Sequence, residues 1–326
     1  MNFGLRSLLS LVLVFFVSET TWSQDLDQLR KQANENTKAM AAEEPQPATA
    51  DAAKEPEWNR WTSDSFVVHA ITNDKGKYLK NNLENIKTWI LERWGLHQFS
   101  FGKETVQTKE GPKQYSHVKL WCMDNPTQFK DHFGIEDSKV EVIRDSDGGI
   151  KNIEVFLLLN DSPAADIPIP LTEAVLAEFE TLHNTKFSWW AYRGMGLLNG
   201  TIPQIKKNLI DLGKKLTPDA KIYLSKSLLT MTKEDWEGQN PDNRELFDQE
   251  SACLCLLLRK EFGQLRMMHF LNESQKDPEK ALKKIYEFKN YDQFNASFYR
   301  YMAQLAKDID SGKTPNDYLN VKRAVK

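Results

Sequence analysis

The pattern of apolar residues changes once along this chain, and the change limits what it can fold into. Before about residue 167 the apolar residues gather in short, β-branched runs, whereas from Leu171 onward they recur at three- and four-residue spacing almost to the end. The first pattern suits strands and the second suits amphipathic helices. Segments 65–71, 116–123, 140–143 and 153–159 have strand length and turn residues around them. Between the first two, Leu79, Leu83, Ile86, Trp89, Ile90 and Trp94 share one face of a long helix that Gly95 stops. Asp145-Ser-Asp-Gly-Gly149 reads as a hairpin turn; a calcium loop needs a longer ligand series ending in Glu. Helices are predicted over 171–182, 189–198, 202–212, 222–229, 246–262, 265–271, 281–288 and 294–309, each bounded by Pro, Gly, Asn or Asp. A mixed β-sheet with a long helix, followed by a mainly helical part, is α+β organisation. No period of 20–50 residues repeats, which removes solenoids and propellers.

The long apolar run is at the N-terminus. Arg6 precedes the apolar stretch 8–17, and a more polar stretch follows at 18–23, the layout of an export signal cleaved before Gln24. The run is short for a span, so the expected product is exported, periplasmic or extracellular, with no membrane span after cleavage; an uncleaved anchor is the competing reading. Residues 24–57, rich in Ala, Glu, Lys, Gln and Asn, bury too little to order themselves and are expected to be a flexible linker. The folded domain is expected over 58–310, with a sheet-containing part (58–166), a helical part (167–310) and a tail (311–326).

Charge points to no partner. Forty-three Lys and Arg against forty-six Asp and Glu leave a net charge of −3, and the basic pairs alternate with apolar helix positions, so nucleic acid is not expected. Cys122, Cys253 and Cys255 are too few and too unevenly placed for a disulfide framework, and their apolar neighbours suggest buried thiols. One bond from Cys122 to either of the others is the alternative.

Chemistry-bearing motifs are missing. The sequence has no G-x-S-x-G, no glycine-rich phosphate loop, no C-x-x-C and no H-E-x-x-H. None of the six histidines, at 69, 97, 117, 132, 183 and 269, is followed by Glu.

The order of segments nevertheless resembles a family. Strand 65–71, the long helix after it, the stretch Lys119-Leu-Trp-Cys-Met-Asp-Asn-Pro-Thr-Gln-Phe-Lys-Asp-His-Phe-Gly134, the stretch Phe187-Ser-Trp-Trp-Ala-Tyr-Arg-Gly-Met-Gly196 and helix 247–263 are similar to the bacterial peptidase MA-like domains. These are gluzincin-type proteins usually preceded by a signal peptide. The resemblance implies a gluzincin-like scaffold over about 58–306 with a zinc motif on the helix that begins near residue 170. Two registers are open, 169–173 and 172–176; neither keeps a histidine, and the third ligand, a glutamate in the family, falls on Arg193. Arginine cannot ligate zinc and would repel it.

The resulting expectation is an exported, catalytically inactive metallopeptidase-like protein with a binding or scaffold role in the cell envelope. It has no catalytic residues, metal or cofactor assigned, and its ligand is an unidentified peptide, protein or envelope component. Glu173, Glu180, His183, Trp190 and Arg193 are the candidates for lining its cleft. An active envelope hydrolase with other ligands is the alternative, with Glu173, Glu178, Glu180 and His183 as candidates. A purely structural envelope protein is a third reading.

Overall fold

A computed structural model describes residues 56–109, 111–160, 166–216 and 225–319. The expected export signal, nearly all of the expected linker, the start of the helix expected at 222 and the last residues of the expected tail lie outside the described residues. The described residues from Glu57 onward form one compact unit.

The N-terminal part is built on a mixed five-stranded sheet. In chain order its strands are β1 (Asn59–Thr62), β2 (Val67–Ala70), β5 (Val118–Met123), β6 (Lys139–Arg144) and β7 (Ile150–Leu158). They are arranged β1-β2-β5-β7-β6, with β2, β5 and β7 parallel and the two outer strands antiparallel to their neighbours. A separate hairpin joins β3 (Lys103–Thr108) to β4 (Gly111–Ser116). Alternation along the strands sends Val68, Ala70, Leu120, Cys122, Val155 and Leu157 into the core, and His69 and Trp121 to the other face, stacked 4.2 Å apart.

Helix α1 (Asn73–Trp94) packs on β1 and β2 and ends where expected, with Gly95 in the left-handed conformation. Its first turn lies against Trp61, so close that any side chain at Gly76 would overlap the indole ring. After β5 comes α2 (Pro126–Phe133), capped by the Asn125 side chain. The Asp145 side chain accepts from the N–H groups of Asp147 and Gly149, which closes the β6–β7 hairpin.

The remaining helices form the second part: α3 (Pro168–His183), α4 (Trp189–Leu198), α5 (Ile202–Lys215), α6 (Ser225–Thr230), α7 (Lys233–Glu237), α8 (Pro241–Phe262), α9 (Gln264–Glu273), α10 (Pro278–Tyr286), α11 (Tyr291–Asp310) and α12 (Asn316–Leu319). Helix α3 links the two parts, packing on β6 and β7 on one side and on α4 on the other. Helix α4 packs along α8, where Gly194 sits so near Ser251 that a Cβ would lie 2.4 Å from the Ser251 carbonyl oxygen. Packing continues beyond residue 310: Tyr318 is buried and its hydroxyl donates to Asp308 at 2.5 Å. All three cysteines are buried free thiols, so no bond forms from Cys122.

No helix among the described residues is long and apolar enough to cross a membrane.

Candidate functional site

A groove of about 960 Å³ opens between the sheet edge and α3. One wall is β6, one of the two outer strands, with Val142 and Arg144 facing the opening. The opposite wall is the α3 face carrying Glu173, Ala177, Glu180 and Thr181, spaced as one helical stripe. Phe187, Trp189 and Tyr192, from the turn into α4, make an aromatic end wall. The same three residues and Lys233 also line a neighbouring basin of about 450 Å³.

The edge of β6 is open in a particular direction. Lys233 Nζ donates to the Val140 carbonyl at 3.2 Å, so this carbonyl points away from β7. Direction alternates along an antiparallel strand, and Val142, two residues on, therefore also turns its N–H and C=O outward, beside the groove. Lys233 reaches on to Glu173 at 2.7 Å, which neutralises that carboxylate.

Glu180 is held from two sides. Its carboxylate accepts from the Phe187 backbone N–H and from the Tyr192 hydroxyl. Burial raises its pKa above the ordinary carboxylate value; the Phe187 and Tyr192 bonds and the charges of Arg144 and Lys186 only partly offset this. Burial also pushes the Tyr192 hydroxyl well above its usual pKa, and Glu180 adds to the shift, so Tyr192 remains a neutral donor. Arg144 is oriented by the Gly148 carbonyl and the Thr181 hydroxyl, each at 3.1 Å.

Of the five residues expected to line a cleft, Glu173 and Glu180 line the groove together. The other three do not line it. Trp190 is fully buried, its ring 6.2 Å from that of Phe270, because helical geometry turns it away from its groove-facing neighbour Trp189. His183 follows Glu180 by almost one turn but lies exposed, against Phe179 and His97. Arg193 forms a bidentate ion pair with Asp248 and sits over the Trp236 ring at 4.3 Å. Burial opposes its charge, and Asp248 more than compensates. Glu178, a candidate for the hydrolase alternative, points at the sheet side: it accepts from Gly102 N–H at 3.1 Å and lies 2.9 Å from His117 Nε2. That buried pair fastens α3 to the sheet.

Sequence reasoning missed Val142, Arg144, Ala177 and Lys233. Their placement depends on the contact between β6, α3 and α7, which no local signal announces. Trp189 and Tyr192 lie beside Trp190 in the aromatic stretch 187–196, but spacing alone did not separate the groove-facing rings from Trp190.

The residues do not fit the zinc ion that the family resemblance implies. In the 172–176 register both histidine positions are buried: Thr172 donates to the Pro168 carbonyl and accepts from Asn199, and Leu176 is core. In the 169–173 register only Glu173 lines the groove, while Ile169 packs against Gly196. Glu173 and Ala177, four apart and both facing the groove, supply no ligand pair, since the first is ion-paired and the second has no ligating atom. Among the described residues no group of three or more His, Cys, Asp or Glu side chains is placed to hold a metal ion.

The sequence matches no protein-family model, and no curated protein matches it.

Proposed function

We propose that this is an exported, catalytically inactive protein of gluzincin-like descent whose groove binds an extended peptide segment in the cell envelope. The observation that carries the reading is the outward backbone of Val142 on β6, which has no further strand beside it among the described residues, facing the α3 stripe across a groove with an aromatic end wall. A free edge binds a strand through main-chain hydrogen bonds, and side-chain pockets then select the sequence. Phe187, Trp189 and Tyr192 offer apolar surface for a bulky side chain, and Arg144 and Lys186 offer charge at the rim. The hydrolase alternative finds less support, since the carboxylate best placed in the groove, Glu180, is already engaged by Phe187 and Tyr192.

The test uses fluorescent octapeptide libraries and the full chain, read by polarisation and by mass spectrometry. Binding without cleavage is expected, weakened at least ~10-fold by Ala177→Trp, which fills the groove, and by Val142→Pro, which removes the outward N–H. Absence of binding across the libraries would sink the proposal. Cleavage abolished by Glu173→Gln or Glu180→Gln would replace it with the hydrolase.

A further inference from the structure

Outside the groove, two imidazoles from distant parts of the chain meet at the surface. His97 follows the end of α1, in a loop pinned by the buried side chains of Leu96 and Phe101. His183 closes α3, its ring 4.2 Å from that of Phe179. The two imidazole centroids are 6.0 Å apart, with the planes at 49°. Both residues are exposed, and among the described residues neither takes part in an ion pair or a side-chain hydrogen bond.

That separation lies within the range a shared metal ion allows. With metal–nitrogen bonds of about 2.0–2.1 Å, two imidazoles on one ion place their ring centres roughly 5–6.5 Å apart. The location also suits a cation, because His183 stands in the last turn of a sixteen-residue helix, where the unpaired carbonyls carry partial negative charge. Phe179 restricts the His183 ring, and the loop that carries His97 is anchored on either side by the buried Leu96 and Phe101.

We propose that His97 and His183 form a two-histidine site for a borderline divalent transition metal, Zn²⁺ or Cu²⁺, with water completing the coordination. Imidazole pairs favour these ions over Mg²⁺ or Ca²⁺, which prefer oxygen ligands. The site is separate from the groove, and bound metal would tie the end of α1 to the end of α3.

The experiment is calorimetric titration of the full chain, made without a histidine tag, with Zn²⁺. Zinc binding that weakens at least ~10-fold in both His97→Ala and His183→Ala is expected, with no change in His269→Ala, whose exposed side chain lies near Glu273 instead. Substoichiometric Cu²⁺ should broaden the imidazole NMR signals of His97 and His183 together, a readout that does not depend on any substitution. Both side chains are exposed, so the alanine variants should keep the wild-type circular dichroism. Absence of zinc binding, affinity unchanged in both variants, or broadening of only one of the two imidazoles would overturn the proposal.

Discussion

Arg193 holds Asp248 through two parallel hydrogen bonds, Nε to Oδ1 at 2.9 Å and Nη2 to Oδ2 at 2.6 Å, and so ties α4 to α8. Both side chains are largely buried, at 16% and 13% exposure. The position at which the family resemblance expects a metal-binding glutamate therefore carries a structural cation with its own partner.

Breaking this pair from one side strands a buried charge. Arg193→Ala and Asp248→Ala are each expected to cost about 3–5 kcal/mol in urea denaturation, whereas Arg193→Met combined with Asp248→Leu recovers most of the loss. Arg193→Glu sets two carboxylates against each other and is expected to be as damaging as the alanine changes. Single-variant losses below ~1 kcal/mol would show that the pair is effectively solvated.

Gly194 controls how near α4 comes to α8. A methyl group there would meet the Ser251 carbonyl at 2.4 Å and Cys255 Sγ at 2.7 Å. Gly194→Ala is expected to lose about 1–3 kcal/mol of stability despite the better helix propensity of alanine. A gain in melting temperature would mean that the two helices can separate without cost.

His69 makes the fold sensitive to acid. Burial, then the charges of Arg60 and Lys119, lowers its pKa from 6.5 to about 4. The unfolded chain therefore takes up a proton that the folded chain refuses, and stability falls as pH drops from about 6.5 towards 4. The ring is only half-buried and solvent screens part of the effect, so the loss should be about 1–2 kcal/mol. His69→Phe keeps a ring against Trp121 and should remove this component in denaturant titrations at pH 7 and pH 4.

Glu180 acts in the opposite sense. Its folded pKa lies above the ordinary 4.5, so its favourable contribution is fully present below that value and is lost as pH rises through the folded pKa. Glu180→Gln keeps an acceptor for the Phe187 N–H and should stabilise the protein at neutral pH while flattening this part of the profile. The check is the difference in denaturation midpoint between wild type and variant at pH 4 and pH 7. A difference that does not change with pH would rule out the raised pKa.

The elements easiest to read in the sequence were those whose apolar pattern is dictated by one buried face. The stripe from Leu79 to Trp94 gave α1 with its Gly95 stop, and the β-branched runs gave β2, β5, β6 and β7 within a few residues. The β3–β4 hairpin escaped notice because its strands are short of apolar residues and held mainly by pairing with each other. β1 escaped because four residues are too few to show a period.

The sequence by itself determined the change from sheet to helix near residue 167, the absence of a zinc-binding motif and the burial of the cysteines, because each follows from local pattern or residue identity. Tertiary structure alone decided which charged and aromatic residues share a space. Helix α3 distributes its glutamates around its circumference, so that Glu173 and Glu180 reach the groove while Glu178 reaches His117 under the sheet. Lys233, sixty residues beyond Glu173, completes the groove only because α7 returns to the β6 edge. Such meetings depend on how whole elements pack, and a chain of side chains read in order contains no signal for them.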